Sequence, residues 1–220
     1  MIDAVIKVGG SLGRGACLPE LGARLVKLGR GHGLLVVPGG GAFADAVREC
    51  DARFSLRPST AHWMAVLAMD QYGHLLADLL PGCALVRTLG EAQERLAGGG
   101  VAVLLPYEVL RQGDALPHSW AVTSDSIAAW LTGQVGARLL VLLKDRHGMA
   151  SLASAASPAS RGALTLAELT ASPGVDAYLD KLLGDSVFDL WAIDGERPER
   201  LTELLETGKT EGVRLARPGL

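Results

Sequence analysis

At 220 residues, with 49% hydrophobic and 20% charged side chains, the chain can build a large core and is not composed like a disordered segment. Its formal net charge of -3 excludes a general electrostatic attraction to nucleic acid or an anionic membrane, so phosphate recognition would have to be local. Three cysteines without a Cys-x-x-Cys pair argue against a disulfide framework, and five histidines without helical metal-ligand spacing argue against a metal held by imidazoles.

The chain opens on Ile2-Asp3-Ala4-Val5-Ile6-Lys7-Val8, an apolar, β-branched run that reads as a short buried strand, followed by Gly9-Gly10-Ser11. A buried strand rarely carries a lysine unless its ammonium reaches a partner. Paired glycines turn the backbone with N–H groups exposed, so Lys7, Gly9 and Gly10 together read as an anion site. Leu18, Leu21, Leu25 and Leu28 then recur at helical spacing, and glycines close that helix before a second strand, Gly33-Leu34-Leu35-Val36-Val37-Pro38. Gly39, Gly40 and Gly41 follow, and the spacing of Phe43, Val47, Cys50 and Phe54 predicts a helix directly after them. Strand, glycine loop and helix N-terminus make a second phosphate cradle, although a triple glycine alone reads equally as a tight turn. Neither a Walker A loop nor a Gly-x-Gly-x-x-Gly fingerprint fits here.

A long helix is predicted over residues 59–80, bracketed by Pro58 and Pro81 and apolar on more than one face, which suits burial on two sides or a subunit interface. Ala84-Leu85-Val86-Arg87 and Val101-Ala102-Val103-Leu104-Leu105 read as strands joined by a helix, and residues 106–120 as irregular. Thr123 or Ser124 can cap a helix whose first turn holds Asp125, where a carboxylate also complements the helix dipole. Leu139-Leu140-Val141-Leu142-Leu143 is a further apolar strand, ending in Lys144-Asp145. Residues 149–162, rich in Ala and Ser, read as a surface loop; helices follow over 165–170, 175–183 and 198–206, with strands at 188–193 and around 213–215. Apolar runs without polar alternation predict an α/β fold, a three-layer αβα sandwich with a mainly parallel sheet, over residues 1–220 as one domain. The chain enters a strand at once and has no apolar run long enough to span a bilayer, so a cytoplasmic protein is expected.

Four segments in this order, Lys7-Val8-Gly9-Gly10-Ser11, Pro38-Gly39-Gly40-Gly41-Ala42, Thr123-Ser124-Asp125-Ser126-Ile127-Ala128 and Lys144-Asp145-Arg146-His147-Gly148, resemble the amino acid kinase superfamily. That superfamily contains acetylglutamate, aspartate, glutamate and uridylate kinases. The resemblance implies an ATP-dependent phosphotransferase with Mg2+ bridging the donor phosphates, a small-molecule acceptor and a homo-oligomeric assembly. It implies Lys7 as a transition-state cation and Asp125 as the carboxylate that orients catalytic lysines. Gly9, Gly10 and Ser11 would face donor phosphates, with Lys144, Asp145 and Gly148 as the nucleotide turn. Gly39, Gly40, Gly41, Asp45 and Ser124 would face the acceptor, with Trp120 stacking on a ring and His118 meeting its polar groups, unless these two are a core tryptophan and a loop histidine.

The chain also departs from the pattern. Lys144 replaces the threonine of Thr-Asp-x-x-Gly, and His147 stands where an aspartate is common. Many members carry Gly-Gly-Met and then a lysine; here the text is Pro173-Gly174-Val175-Asp176-Ala177-Tyr178-Leu179-Asp180-Lys181, so Lys181 is either the substitute catalytic lysine or an exposed helix lysine. With Leu116-Pro117-His118-Ser119-Trp120 and Ile193-Asp194-Gly195-Glu196-Arg197-Pro198-Glu199, these departures are most similar to the kinases of methanofuran and methylofuran biosynthesis. Those phosphorylate an aminomethylfuran methyl phosphate to its diphosphate, a reaction that needs no strong general base. A nucleoside monophosphate or acyl-phosphate kinase, and a non-catalytic nucleotide or oxyanion binder, stay open.

Overall fold

The strands form where apolar residues run without polar alternation, since a strand covered on both faces has no solvent side to satisfy. The computed structural model describes residues 1–155, 163–172, 175–176, 178–184 and 187–215. In chain order the elements are β1 (Ala4–Val8), α1 (Leu18–Leu28), β2 (Gly33–Pro38), α2 (Gly41–Phe54), α3 (Pro58–Leu79), β3 (Ala84–Val86) and α4 (Leu89–Arg95). There follow β4 (Gly100–Leu104), α5 (Pro106–Gly113), α6 (Ser124–Val135), β5 (Leu139–Lys144), α7 (Arg146–Ala155) and β6 (Ala163–Leu164). The described chain closes with α8 (Leu166–Ala171), α9 (Leu179–Leu183), β7 (Asp189–Asp194), α10 (Glu199–Thr207) and β8 (Val213–Leu215). A 3-10 turn, Gly10–Arg14, joins β1 to α1.

The sheet runs β3-β4-β2-β1-β5-β7-β8-β6, parallel throughout except for the antiparallel pair β7 and β8. This is the mainly parallel α/β architecture expected, with helices on both faces. The two-residue period of a strand sorts each one between two cores. Ala4, Ile6 and Val8 join Val141 and Leu143 against the leucines of α1, while Val5, Leu140 and Leu142 face the other way, towards Ile127 and Leu131 of α6. Helix α3 serves both cores, with Val66 and Met69 in one and Tyr72 and Leu76 in the other, as its broad apolar surface predicts.

Three expectations need correction. Residues 106–113 are helical because Pro106 occupies the first turn, where its missing N–H costs nothing, and Leu110 is buried. Residues 149–155 belong to α7 and not to a loop: Asp145 Oδ1 accepts the Gly148 N–H at 2.8 Å, and Leu152 is wholly buried. The remainder of that segment, 156–162, lies outside the described residues. Helix α2 begins where predicted but buries Ala44 and Val47, leaving Phe43 and Phe54 39% and 62% exposed. Small side chains let α2 lie close to Ala68 of α3, and the aromatic face is left outside.

Candidate active site

Strand period together with the parallel pairing of β1 and β5 brings two lysines to one place. Lys7 follows Val5 on the α6 face of β1, and Lys144 follows Leu140 and Leu142 on the same face of the neighbouring strand β5. The first turn of α6 inserts Asp125 between them: Lys7 Nζ lies 2.9 Å from Oδ1 and Lys144 Nζ 2.5 Å from Oδ2. Side-chain exposures of 6%, 11% and 4% for Lys7, Lys144 and Asp125 make this a buried ion triad. Burial works to raise the Asp125 pKa, but the charges of Lys144 and Lys7 outweigh it and hold the carboxyl below the usual carboxylate range. Burial, with Lys144 adding repulsion, draws the Lys7 pKa down against the pull of Asp125.

The glycine loops meet at the same strand ends. A Cβ on Gly10 would stand 2.1 Å from the Gly41 backbone nitrogen, and Gly41 has a φ of +55°, so a side chain at either position would separate the loops or strain the turn. Gly9 and Gly39 are corrected in role: their N–H groups donate to Leu143 O at 3.0 Å and Val8 O at 2.9 Å, extending the sheet and leaving nothing for an anion. Gly10 and Gly41 begin the 3-10 turn and α2, and Gly40 precedes α2 directly; the first N–H groups of a helical turn lack intrahelical acceptors.

One cavity of about 620 Å3 collects these groups. Lys7, Gly10, Ser11, Ser124, Asp125 and Lys144 line one end; Gly40, Gly41, Asp45, His118 and Trp120 continue the wall. Asp145, Gly148 and Lys181 do not line it. Asp145 is spent on capping α7 through Gly148, and Lys181 is exposed on α9 with Nζ 5.4 Å from the Tyr178 ring centroid. Of the two lysines, Lys144 and not Lys181 stands across Asp125 from Lys7.

The far wall is built differently. Asp45 pairs with Arg14 and, at 3.0 Å, with Arg48, whose guanidinium carbon lies 4.9 Å from the Trp120 ring centroid. Trp120 Nε1 donates to Asp51 Oδ2 at 2.7 Å, tying the 114–123 loop to α2. His62 of α3 stacks on His118 with centroids 4.5 Å apart and an interplanar angle of 19°, and His118 Nε2 lies 2.8 Å from Asp114 Oδ1. Burial, then the neighbouring His118, pushes the His62 pKa down to about 4. His62, Arg48, Asp51 and Asp176 also line the cavity and were not singled out from sequence as site residues. Only His62 left a signal, a polar residue inside an apolar helical stretch.

Residues 4–155 match the model of the amino acid kinase family. The chain belongs to that family. This kinase is a phosphotransferase, and it is 26% identical over 204 residues, 92% of each chain, to the (5-(aminomethyl)furan-3-yl)methyl phosphate kinase of Methanocaldococcus jannaschii. Its fold superposes on UMP kinase from Ureaplasma parvum with a TM-score of 0.75 at 14% identity, covering 99% of this chain and 100% of that one. Uridylate kinase from Archaeoglobus fulgidus gives 0.73 at 17% identity, with 98% and 100% covered. Among the described residues, no group of three or more His, Cys, Asp or Glu side chains is placed to hold a metal ion, and no helix is long and apolar enough to cross a membrane.

Proposed function

We propose that this kinase transfers the γ-phosphoryl group of ATP to the phosphate of a small furan, an (aminomethyl)furanmethyl phosphate, giving the diphosphate. The observation that carries the reading is the buried Lys7–Asp125–Lys144 triad facing a cavity whose far wall is aromatic. The relative from Methanocaldococcus jannaschii supports the choice of acceptor.

An acceptor phosphate oxygen forms a bond to the γ-phosphorus as the bond to the β-phosphate oxygen breaks, and ADP leaves with that electron pair. The acceptor is already ionised near neutral pH, so no side chain has to remove a proton. Positioning and charge do the rest. Lys7 and Lys144 supply N–H donors to the oxygens that gain charge, and Asp125 fixes both ammonium groups so that neither reorients during transfer. The N-terminus of α2 and the Gly10 turn receive anionic oxygens. Trp120, with the stacked His62 and His118, walls the acceptor ring. Mg2+, when bound on the donor phosphates, neutralises charge there; Ser11 and Ser124 are the neutral oxygens at that end of the cavity. Residues 1–220 are read as one domain acting in the cytoplasm, and the exposed Leu67 and Leu75 of α3 as the apolar surface of a homo-oligomer.

The test is ADP release with Mg-ATP in the presence of the furan phosphate, uridylate or acetylglutamate. Stimulation by the furan phosphate alone is expected. Stimulation by uridylate alone would make this a nucleoside monophosphate kinase, and nucleotide binding without turnover would make it a sensor or storage protein.

A further inference from the structure

Asp176 lies between α8 and α9, far along the chain from the triad, yet it is 7% exposed and its carboxylate accepts five hydrogen bonds. Oδ2 takes the Thr123 N–H at 2.9 Å, the Thr123 hydroxyl at 2.8 Å and the Ser126 N–H at 2.9 Å. Oδ1 takes the Ser126 hydroxyl and, at 3.0 Å, the Leu179 N–H. Four of these donors flank Asp125 on either side. The start of a helix has N–H groups without intrahelical acceptors, and the side chain of the residue just before the helix usually satisfies one of them. Here Thr123 is a weak cap, its Oγ1 3.4 Å from the Asp125 nitrogen, and the carboxylate comes instead from another segment.

Charge makes the same point independently. Asp176 also lines the cavity and adds a second carboxylate to the buried cluster. Among the described residues, the groups facing Lys7 are Asp125 from α6, Lys144 from β5 and Asp176, whose charge favours the protonated lysine.

We propose that Asp176 is a positioning residue for phosphoryl transfer: it clamps the first turn of α6 from outside the helix, so that Asp125 holds Lys7 and Lys144 together, and it adds a second negative charge to the buried cluster. Its kinetic part rests on the phosphotransfer reading above; its electrostatic part does not.

The chain has five lysines, so 13Cε-lysine NMR can follow the two buried ammonium groups with no substrate present. In Asp176→Asn the titration of Lys7 is expected to move down by about half a pH unit or more, because a nearby negative charge has been removed. In the same variant kcat is expected to fall about a hundredfold, with KM for Mg-ATP and acceptor within about threefold. Ser126→Ala keeps the charge and removes one hydrogen bond; its lysine titration stays in place while kcat falls about threefold to tenfold. A folded Asp176→Asn protein with wild-type lysine titration and kcat within about twofold overturns the proposal. If Asp176→Asn does not fold, an unchanged kcat in Ser126→Ala overturns it. If the unmutated protein turns over no acceptor, the functional reading fails while the titration still decides the role of Asp176.

Discussion

The two ends of the cavity are made of similar charges held in opposite ways. At the triad end two lysines and two carboxylates are buried: Lys7 and Lys144 on strand ends, Asp125 at a helix start and Asp176 between α8 and α9. At the far end Arg14 and Arg48 are more than half exposed to water and Asp45 more than a third, and their partners come from α2 and connecting segments. Desolvated charges interact strongly and tolerate no missing partner, whereas solvated ones contribute little and rearrange easily. On the proposed function, the chemistry would be fixed by the scaffold and acceptor choice by a wall that can vary without unfolding it.

Removing Asp125 should separate the two ends most. Asp125→Ala leaves two buried ammonium groups without their shared partner, so a loss of about 3–5 kcal/mol in denaturant unfolding is expected, with turnover abolished. Asp45→Ala should change stability by about 1 kcal/mol or less in the same titration. A similar loss for both would erase the distinction.

A smaller contrast concerns the lysines. Lys144→Met is expected to lower kcat about a hundredfold to a thousandfold, and Lys181→Met to leave it within about twofold, in steady-state assays of ADP release. The reverse order would return the second cation to α9. At the far wall, Trp120→Ala should raise KM for the acceptor about tenfold with kcat little changed, since a stacking face binds ground and transition states alike. A fall in kcat at constant KM would place Trp120 in the chemistry.

The smallest effect is in acid. The His62 pKa lies at about 4 in the folded chain against 6.5 ordinarily, so between those values the unfolded chain binds more protons and stability falls as pH drops. For Asp70, half-buried in α3 beside the Tyr107 N–H, desolvation raises the pKa to about 6 from 3.8. Here the folded chain binds more protons, so that contribution is lost as pH rises through the same window. Thermal unfolding from pH 7 to 4 should show a shallower acid loss in His62→Phe and a steeper one in Asp70→Asn. Unchanged slopes would show that neither group titrates as its burial requires.

Much of this molecule was written locally. Every strand except β6, both glycine loops, the helix over α3, and the placement of Lys7 on a strand and Asp125 in a first helical turn follow from apolar periodicity, turn residues and capping, all set within a few neighbours along the chain, whereas the link between Asp125 and the lysines came from the family resemblance. Lys144 was visible at a strand end but assigned to the nucleotide turn. Strand alternation already put it on the Lys7 face; that β5 lies beside β1 was a matter of sheet order. Gly9 and Gly39 looked like anion donors until neighbouring strands took their N–H groups. Sequence by itself determined the elements and the residue types at their ends, because φ/ψ preference and hydrophobic period act over one or two turns. Tertiary structure alone decided that Asp176 reaches the start of α6, that Lys181 faces water and that Trp120 meets Asp51, because those pairings depend on which elements pack together over long chain separations.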